Sequence, residues 1–96
     1  MVKAKRILQV IAYDIEDDKT RNKVAKLLEK YGARVNYSVF ECMFTSVQLQ
    51  KTKESIAKLV DRRTDSVVFY PICVDCYSKT VYMPENKKEY NVVEVI

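Results

Sequence analysis

One carboxylate, Asp14, stands where a buried strand is expected to end. The preceding residues, 7–13, form a short apolar run rich in β-branched and aromatic side chains, which is typical of a strand inside a sheet. A carboxylate at the end of such a strand is placed to bind a metal ion or another ligand. Position alone leaves a second interpretation open, in which Asp14 caps the turn or helix that follows.

Basic side chains are concentrated on the first predicted helix and on one strand. A phosphate-binding ridge and an ordinary solvated helix face explain the helical set equally well. That set is Lys19, Arg21, Lys23, Lys26 and Lys30. Arg34 lies on a strand between apolar neighbours, so contact with nucleic acid and pairing with an acid both stay open. Asp17 and Asp18 are expected to stabilise the helix start rather than to bind metal.

Aromatic and sulfur side chains offer further chemistry. Phe40 and Phe44 are able to stack on bases, but their strand spacing around Cys42 favours the core. Cys73 and Cys76 form a lone CxxC pair, and structural zinc needs four ligands, whereas the chain has three Cys and no His. A zinc site shared by two copies and a redox pair stay open, and two reduced, half-buried thiols in a turn are the favoured interpretation.

Composition restricts the class of protein. The 96 residues suffice for one small domain, and the absence of His excludes a His general base. The net charge of +4 is a weak indication of a polyanionic partner. No run approaches the roughly 18 consecutive apolar residues that cross a membrane. The basic amino terminus leads into a strand rather than a secretion signal, so we expect a cytoplasmic protein without a membrane partner.

The elements that position these residues follow from periodicity. One apolar stripe predicts a helix over residues 17–31, with Gly32 as a left-handed stop. The apolar phase then slips by one residue, which predicts two short strands that reverse near residues 36–38, with one bent strand as the alternative. Thr45 and Gln48 fit a capping box for a second helix that ends near Val60. A strand follows at 66–72.

The order of elements predicts an α+β fold of the ferredoxin-like βαββαβ type, an antiparallel sheet with two helices on one face. A turn at 73–76 and a short strand at 77–83 complete a domain of residues 1–83. Residues 84–96 are expected to form a C-terminal β appendix that pairs with a partner protomer. The first and last core strands are apolar on both sides, so the uncovered sheet face is expected to pack on a second copy.

Several short blocks of sequence, in this order, resemble the small CRISPR-associated endoribonuclease family, the second protein of the spacer-acquisition complex. The match covers roughly residues 6–76. Its blocks are Tyr13-Asp14-Ile15, Asp17-Asp18-Lys19-Thr20-Arg21, Ala25-Lys26-Leu27-Leu28, Tyr31-Gly32, Arg34-Val35, Tyr37-Ser38-Val39-Phe40-Glu41, Asp65-Ser66-Val67 and Tyr70-Pro71-Ile72-Cys73.

This resemblance implies a homodimer in which Mg²⁺ is bound by Asp14 of both chains. It also implies cleavage of single-stranded RNA or double-stranded DNA in some members, and an adaptation complex that holds duplex DNA and bridges copies of the CRISPR integrase. Mg²⁺ prefers oxygen ligands, and it lowers the pKa of a bound water molecule, which substitutes for the missing histidine base. The positions that the resemblance associates with catalysis are Tyr13 and Asp14, and those it associates with nucleic acid are Arg21, Lys23, Arg34 and Phe40.

Three functions are therefore weighed. The leading hypothesis is a metal-dependent endonuclease of CRISPR adaptation, in which Asp14 holds the metal and Arg21 and Arg34 bind phosphate. The alternative is a catalytically idle dimer that holds duplex DNA and bridges integrase subunits. The third is a ferredoxin-like regulatory domain that binds a small ligand and has no salt-dependent affinity for nucleic acid.

Overall fold

The computed structural model describes residues 5–84, which form a four-stranded sheet and three helices. In chain order the elements are β1 (Ile7–Asp14), α1 (Asp18–Glu29), β2 (Gly32–Asn36), β3 (Val39–Phe44), α2 (Ser46–Leu59), β4 (Ser66–Ile72) and α3 (Val74–Tyr77). The strand order is β2-β3-β1-β4, and all neighbouring strands are antiparallel. This architecture confirms the ferredoxin-like prediction.

The core lies between one sheet face and helices α1 and α2. Ile11 of β1 and Phe40 and Phe44 of β3 are fully buried there, with Val24 and Leu28 of α1 also at 0% exposure. Alternation along a strand sends neighbouring side chains to opposite faces. Residues of odd number on β1 and of even number on β3 therefore form the helix-covered face.

Local signals for helix starts and for the strand reversal are confirmed. The Asp17 carboxylate accepts from the Thr20 backbone N–H at 2.9 Å, and Thr45 with Gln48 makes a complete capping box for α2. Strands β2 and β3 are separate, and the chain reverses at Tyr37 and Ser38. The single bent strand is therefore excluded.

Gly32 is not the left-handed stop that the sequence predicted. No residue in the described part of the chain has positive φ, and α1 ends at Lys30 in a right-handed conformation. Gly32 is instead the first residue of β2, paired with Cys42 of β3. A Cβ atom at this position would overlap with the Glu41 carbonyl oxygen and the Cys42 Cα. The glycine is required for close backbone approach rather than for a turn.

The chain after β4 also differs from the prediction. Cys73 caps the one-turn helix α3 rather than occupying a plain turn, and residues 78–84 form no strand. The predicted strand at 77–83 is therefore wrong, because the backbone N–H groups of Ser78, Lys79 and Thr80 form local turn hydrogen bonds. The hydroxyls of Tyr77 and Tyr82 instead hold this segment to Glu41 on the sheet surface. The predicted C-terminal strand at 84–96 lies, except for Pro84, outside the described residues. The domain division at 83 stays a prediction.

The second sheet face, hereafter the open face, lies opposite α1 and α2. It carries Ala12 and Asp14 of β1, Glu41 of β3, and Val68 and Tyr70 of β4. Val68 and Tyr70 are 40% and 52% exposed, whereas Glu41 is 6% exposed. One part of this face is thus covered by the chain itself, and another part remains apolar and exposed.

In the described residues, every helix is too short or too polar to span a lipid bilayer.

Candidate nucleic-acid and metal site

Asp14 is the last residue of β1 and lies opposite Ser66 of β4 in the antiparallel register. Asp14 is exposed to solvent, whereas the preceding residue, Tyr13, is only 5% exposed and lies on the helix-covered face. Strand alternation therefore places the Asp14 side chain on the open face. Asp14 does not cap the helix that follows it, because Asp17 is the N-cap of α1.

A small polar pocket lies on the opposite side of the sheet, beside the start of α1. Its volume is about 180 Å³. It is lined by Tyr13, Arg21, Asn22, Ala25, Arg34 and Tyr37. Three residues that the sequence nominated from separate elements, Tyr13, Arg21 and Arg34, therefore meet at one place. Hereafter this is called the arginine pocket.

Arg21 is held in the arginine pocket from two directions. Its Nη1 donates to the Ile15 carbonyl oxygen at 2.9 Å, and its Nη2 forms an ion pair with Asp18 one helical turn earlier. The hydrogen bond that Arg21 donates to the Asp18 carboxylate raises the pKa of the guanidinium. Arg21 keeps 27% of its side-chain surface exposed, so part of this side chain is accessible from solvent.

Arg34 reaches the same pocket from β2. Its guanidinium carbon lies 5.4 Å from the centroid of the Phe40 ring, and its Nη1 donates to the Tyr37 carbonyl at 3.3 Å. Of the two options left open for Arg34, pairing with an acid has no support among the ion pairs of the described residues. The cation lies on an aromatic surface with its charge exposed, which suits a phosphate contact.

Phe40 is not available to a base. Its side chain is fully buried, and its ring stacks on Tyr13 with centroids 6.2 Å apart and an interplanar angle of 28°. The nomination of Phe40 as a nucleic-acid contact is therefore wrong, because its strand position turns it into the core. Its role in the pocket is indirect, since the same ring supports both Tyr13 and Arg34.

Tyr13 lines the arginine pocket as a neutral phenol. Burial raises the pKa of Tyr13, and the nearby Arg34 and Arg21 cations offset only part of that rise. A phenol in this state donates a hydrogen bond and does not act as a general base near neutral pH. Tyr13 and Asp14 are consecutive in sequence but face opposite sides of the sheet, so a single chain does not bring them together.

Lys23 belongs to a different surface. Together with Lys26, Lys30 and Lys58 it borders a shallow groove between α1 and α2, floored by Leu27 and Leu59. Lys23 is therefore separated from both the arginine pocket and Asp14. The basic residues of α1 therefore do not form one continuous phosphate-binding ridge, because Arg21 lines the arginine pocket whereas Lys23, Lys26 and Lys30 border the groove.

These positions can now be compared with known proteins. A family model described as CRISPR associated protein Cas2 matches residues 7–80. The chain belongs to the Cas2 family. A curated Cas2 protein of Synechocystis sp., named CRISPR-associated endoribonuclease Cas2 3, is 48% identical over 65 residues, which cover 68% of this chain and 71% of that protein.

Solved Cas2 structures share the fold. The crystal structure of Streptococcus pyogenes Cas2 gives a TM-score of 0.72 at 30% identity and covers 78% of this chain and 96% of that one. A chain of a partial Cas6-RT-Cas1–Cas2 complex gives 0.69 at 27% identity and covers 93% of this chain and 99% of that one. The resemblance drawn from sequence is confirmed, and Cas2 membership supports a role in CRISPR adaptation.

The metal-binding capacity of this Cas2 chain is limited. Residues 5–84 contain no group of three or more Asp, Glu or Cys side chains that could hold a metal ion. Asp14 supplies one exposed carboxylate of the hard, oxygen-donor type that Mg²⁺ prefers. The donor set fits a divalent ion only where a second carboxylate, phosphate oxygens or water complete the coordination.

One polar cluster was missed by sequence reasoning. Glu41 lies on the open face of this Cas2 chain, and its carboxylate accepts hydrogen bonds from the hydroxyls of Tyr77 and Tyr82. The available signal was a lone acid inside the apolar run of β3. That signal marks a buried carboxylate but does not identify its partners, which lie 36 and 41 residues further along the chain.

Proposed function

We propose that this protein is a metal-dependent endonuclease of CRISPR adaptation that works as a homodimer in the cytoplasm. Its substrates are single-stranded RNA or double-stranded DNA, bound through backbone phosphates. Its partner in the adaptation complex is the CRISPR integrase, a proposal supported by the Cas1–Cas2 complex among the similar structures. The nuclease activity is supported by the endoribonuclease and endonuclease names of its relatives.

The observation that carries the proposal is the position of Asp14 beside an apolar, exposed part of the open face. Ala12 and Val68 form the next pair on the same face after the Asp14–Ser66 pair, and Tyr70 follows on β4. A second copy placed over this surface removes apolar area from water. In this proposal the same packing brings the Asp14 carboxylates of two copies toward one another. Two carboxylates then bind the metal ion, where one chain offers a single one.

The two Asp14 side chains would hold the divalent ion. When bound, such an ion supplies positive charge against phosphoryl oxygens and makes a water molecule more acidic. Asp14 is suited to this task because it is exposed at a strand end, where a phosphodiester has access. The absence of His in the sequence leaves the chain without the usual protein general base.

The arginine pocket serves substrate binding in this proposal. Arg21, which also pairs with Asp18, and Arg34 present two guanidinium groups held by protein carbonyls, and Tyr13 lines the same pocket as a neutral phenol. Such a set binds phosphate without reading the base, so it fits an enzyme of low sequence preference. Phosphate contacts of this kind weaken steeply as salt rises.

A second function is favoured by one observation. The arginine pocket and Asp14 lie on opposite faces of the sheet, so one protomer cannot hold the same phosphate with both. A dimer that spans duplex DNA and bridges integrase subunits, without cleaving, needs the basic surfaces but not Asp14. This catalytically idle scaffold is the competing proposal.

An Asp14→Asn variant separates the two functions. Cleavage of labelled RNA and duplex DNA is measured with and without Mg²⁺, and spacer acquisition is measured in cells carrying the same variant. The nuclease proposal predicts that both are lost, whereas the scaffold predicts that acquisition survives. Glu16→Gln, an exposed acid two residues away, is the matched control and is expected to retain both activities.

A further inference from the structure

The two thiols of the CxxC pair lie together at the surface, where β4 passes into α3. Cys73 and Cys76 are exposed, and their Sγ atoms are 3.3 Å apart. The expectation of half-buried thiols is therefore wrong. A disulfide requires about 2.05 Å between the sulfurs, so the two atoms, now at hydrogen-bond distance, must move more than 1 Å closer to form one.

The two sulfurs are not equivalent. Cys73 Sγ accepts a hydrogen bond from the Cys76 backbone N–H at 3.3 Å, and the two sulfurs share a second hydrogen bond. The backbone hydrogen bond and the one shared with Cys76 lower the pKa of Cys73, whereas the hydrogen bond shared with Cys73 raises the pKa of Cys76. Cys73 also lines a shallow, open pocket with Lys5 and Arg6.

The third cysteine provides an internal contrast. Cys42 is 1% exposed in the core, where its Sγ lies 3.6 Å from the Leu28 carbonyl oxygen. Burial raises its pKa to about 12. The structure thus divides the cysteines into one inert thiol and one accessible pair.

We propose that Cys73 and Cys76 form a reversible dithiol–disulfide couple that exchanges with low-molecular-weight disulfides. The Cys73 thiolate attacks one sulfur of such a disulfide, and the first small thiolate leaves as a mixed disulfide forms on Cys73. Cys76 then loses its proton and attacks Cys73 Sγ, which releases the second small thiolate. The protein loses two electrons and two protons, and one small disulfide becomes two small thiols.

The couple is independent of the nuclease proposal, because it uses neither Asp14 nor the arginine pocket. Folded protein is equilibrated in buffers of reduced and oxidised glutathione, quenched with acid, denatured and alkylated, and its intact mass is measured. The wild type is expected to fall from three alkylated cysteines to one as the buffer becomes oxidising. Native-state alkylation is expected to be at least about a hundredfold faster at Cys73 than at Cys42.

Matched variants make the outcome decisive. In Cys42→Ala, oxidation is still expected to remove two alkylation sites at once. In Cys73→Ser and in Cys76→Ser, this simultaneous loss of two sites should disappear, and the remaining thiol should at most take up one glutathione. Three labels retained by the wild type in excess oxidised glutathione would overturn the proposal. So would a joint loss that persists in Cys76→Ser, or disulfide-linked dimers in place of the internal bond on a non-reducing gel.

Discussion

The Tyr82 hydroxyl lies 2.9 Å and 2.7 Å from the two carboxylate oxygens of Glu41. The Tyr77 hydroxyl is a second donor to the same carboxylate, at 3.1 Å. Glu41 belongs to the middle of the sheet, while both tyrosines belong to the segment after β4. A buried acid on the open face thus holds the C-terminal part of the described chain in place, because its charge would otherwise lack partners.

Removal of the Tyr82 hydroxyl is expected to destabilise the fold modestly. Hydrogen bonds to a charged group contribute about 1.5–3 kcal/mol, and the partial exposure of Tyr82 favours a loss of about 1–2 kcal/mol in Tyr82→Phe. Urea unfolding followed by circular dichroism measures the change in the free energy of unfolding. Tyr70→Phe, on the same face but 52% exposed, is the control and should change little. Equal losses in both variants would refute a special role for Glu41.

The same cluster predicts a loss of stability in alkali. Burial and the hydrogen bonds with Glu41 raise the pKa of Tyr82, and burial likewise raises that of Tyr77. A raised pKa means that folding favours the protonated phenol. The stability that each tyrosine adds in this way is complete below the pKa of tyrosine in the unfolded chain, about 10, and is lost as the pH rises above that value. The free energy of unfolding should fall from pH 9 to about pH 11, and less steeply in Tyr82→Phe. Identical slopes would contradict this assignment.

Gly32→Ala tests the close approach of β2 to β3. The added methyl group would overlap with backbone atoms of Glu41 and Cys42, so the strands must separate. Overpacking of this kind costs about 1–3 kcal/mol, and we expect the upper part of that range because backbone cannot rotate away. Thermal unfolding measures it, with Lys30→Ala as an exposed control next to β2. A left-handed stop at Gly32 is excluded by the observed φ values.

Arg21 and Arg34 are expected to contact phosphate, and salt dependence tests this directly. Loss of one phosphate contact reduces the slope of log K against log salt by about one for duplex DNA. Arg21→Gln and Arg34→Gln should therefore each weaken binding uniformly across sequences and flatten the slope. Lys23→Gln removes the same charge from the interhelical groove and is the matched control. A slope that changes equally in all three variants would show that only net charge matters.

Much of the fold was predictable from local sequence because the signals were local. The apolar phase slip between Val39 and Phe40 predicted two strands, and Thr45 with Gln48 predicted the start of α2. Contacts between distant residues could not be predicted in this way. Tyr77 and Tyr82 lie in the segment that was predicted to be a short strand, but their hydroxyls bond to Glu41, which no local pattern connects to them.

The candidate site was predictable in its members but not in its arrangement. The resemblance nominated Tyr13, Asp14 and Arg34 together, yet strand alternation divides them between two faces of the sheet. Phe40 is buried in the core, as its strand spacing favoured, and is therefore not accessible for the nucleic-acid contact that the resemblance implied. The functional roles of these residues stay predictions, and the structure shows only where each side chain lies.

The central claim is that Asp14, on the open face, pairs with its counterpart in a second copy to hold a catalytic divalent ion. Its most direct test is Mg²⁺-dependent cleavage of labelled RNA and duplex DNA by Asp14→Asn, with sedimentation confirming that the variant remains a dimer. We predict cleavage reduced by about a hundredfold or more, since loss of even an outer-shell metal partner costs about 10–100-fold. A dimeric Asp14→Asn that cleaves at the wild-type rate would contradict the claim.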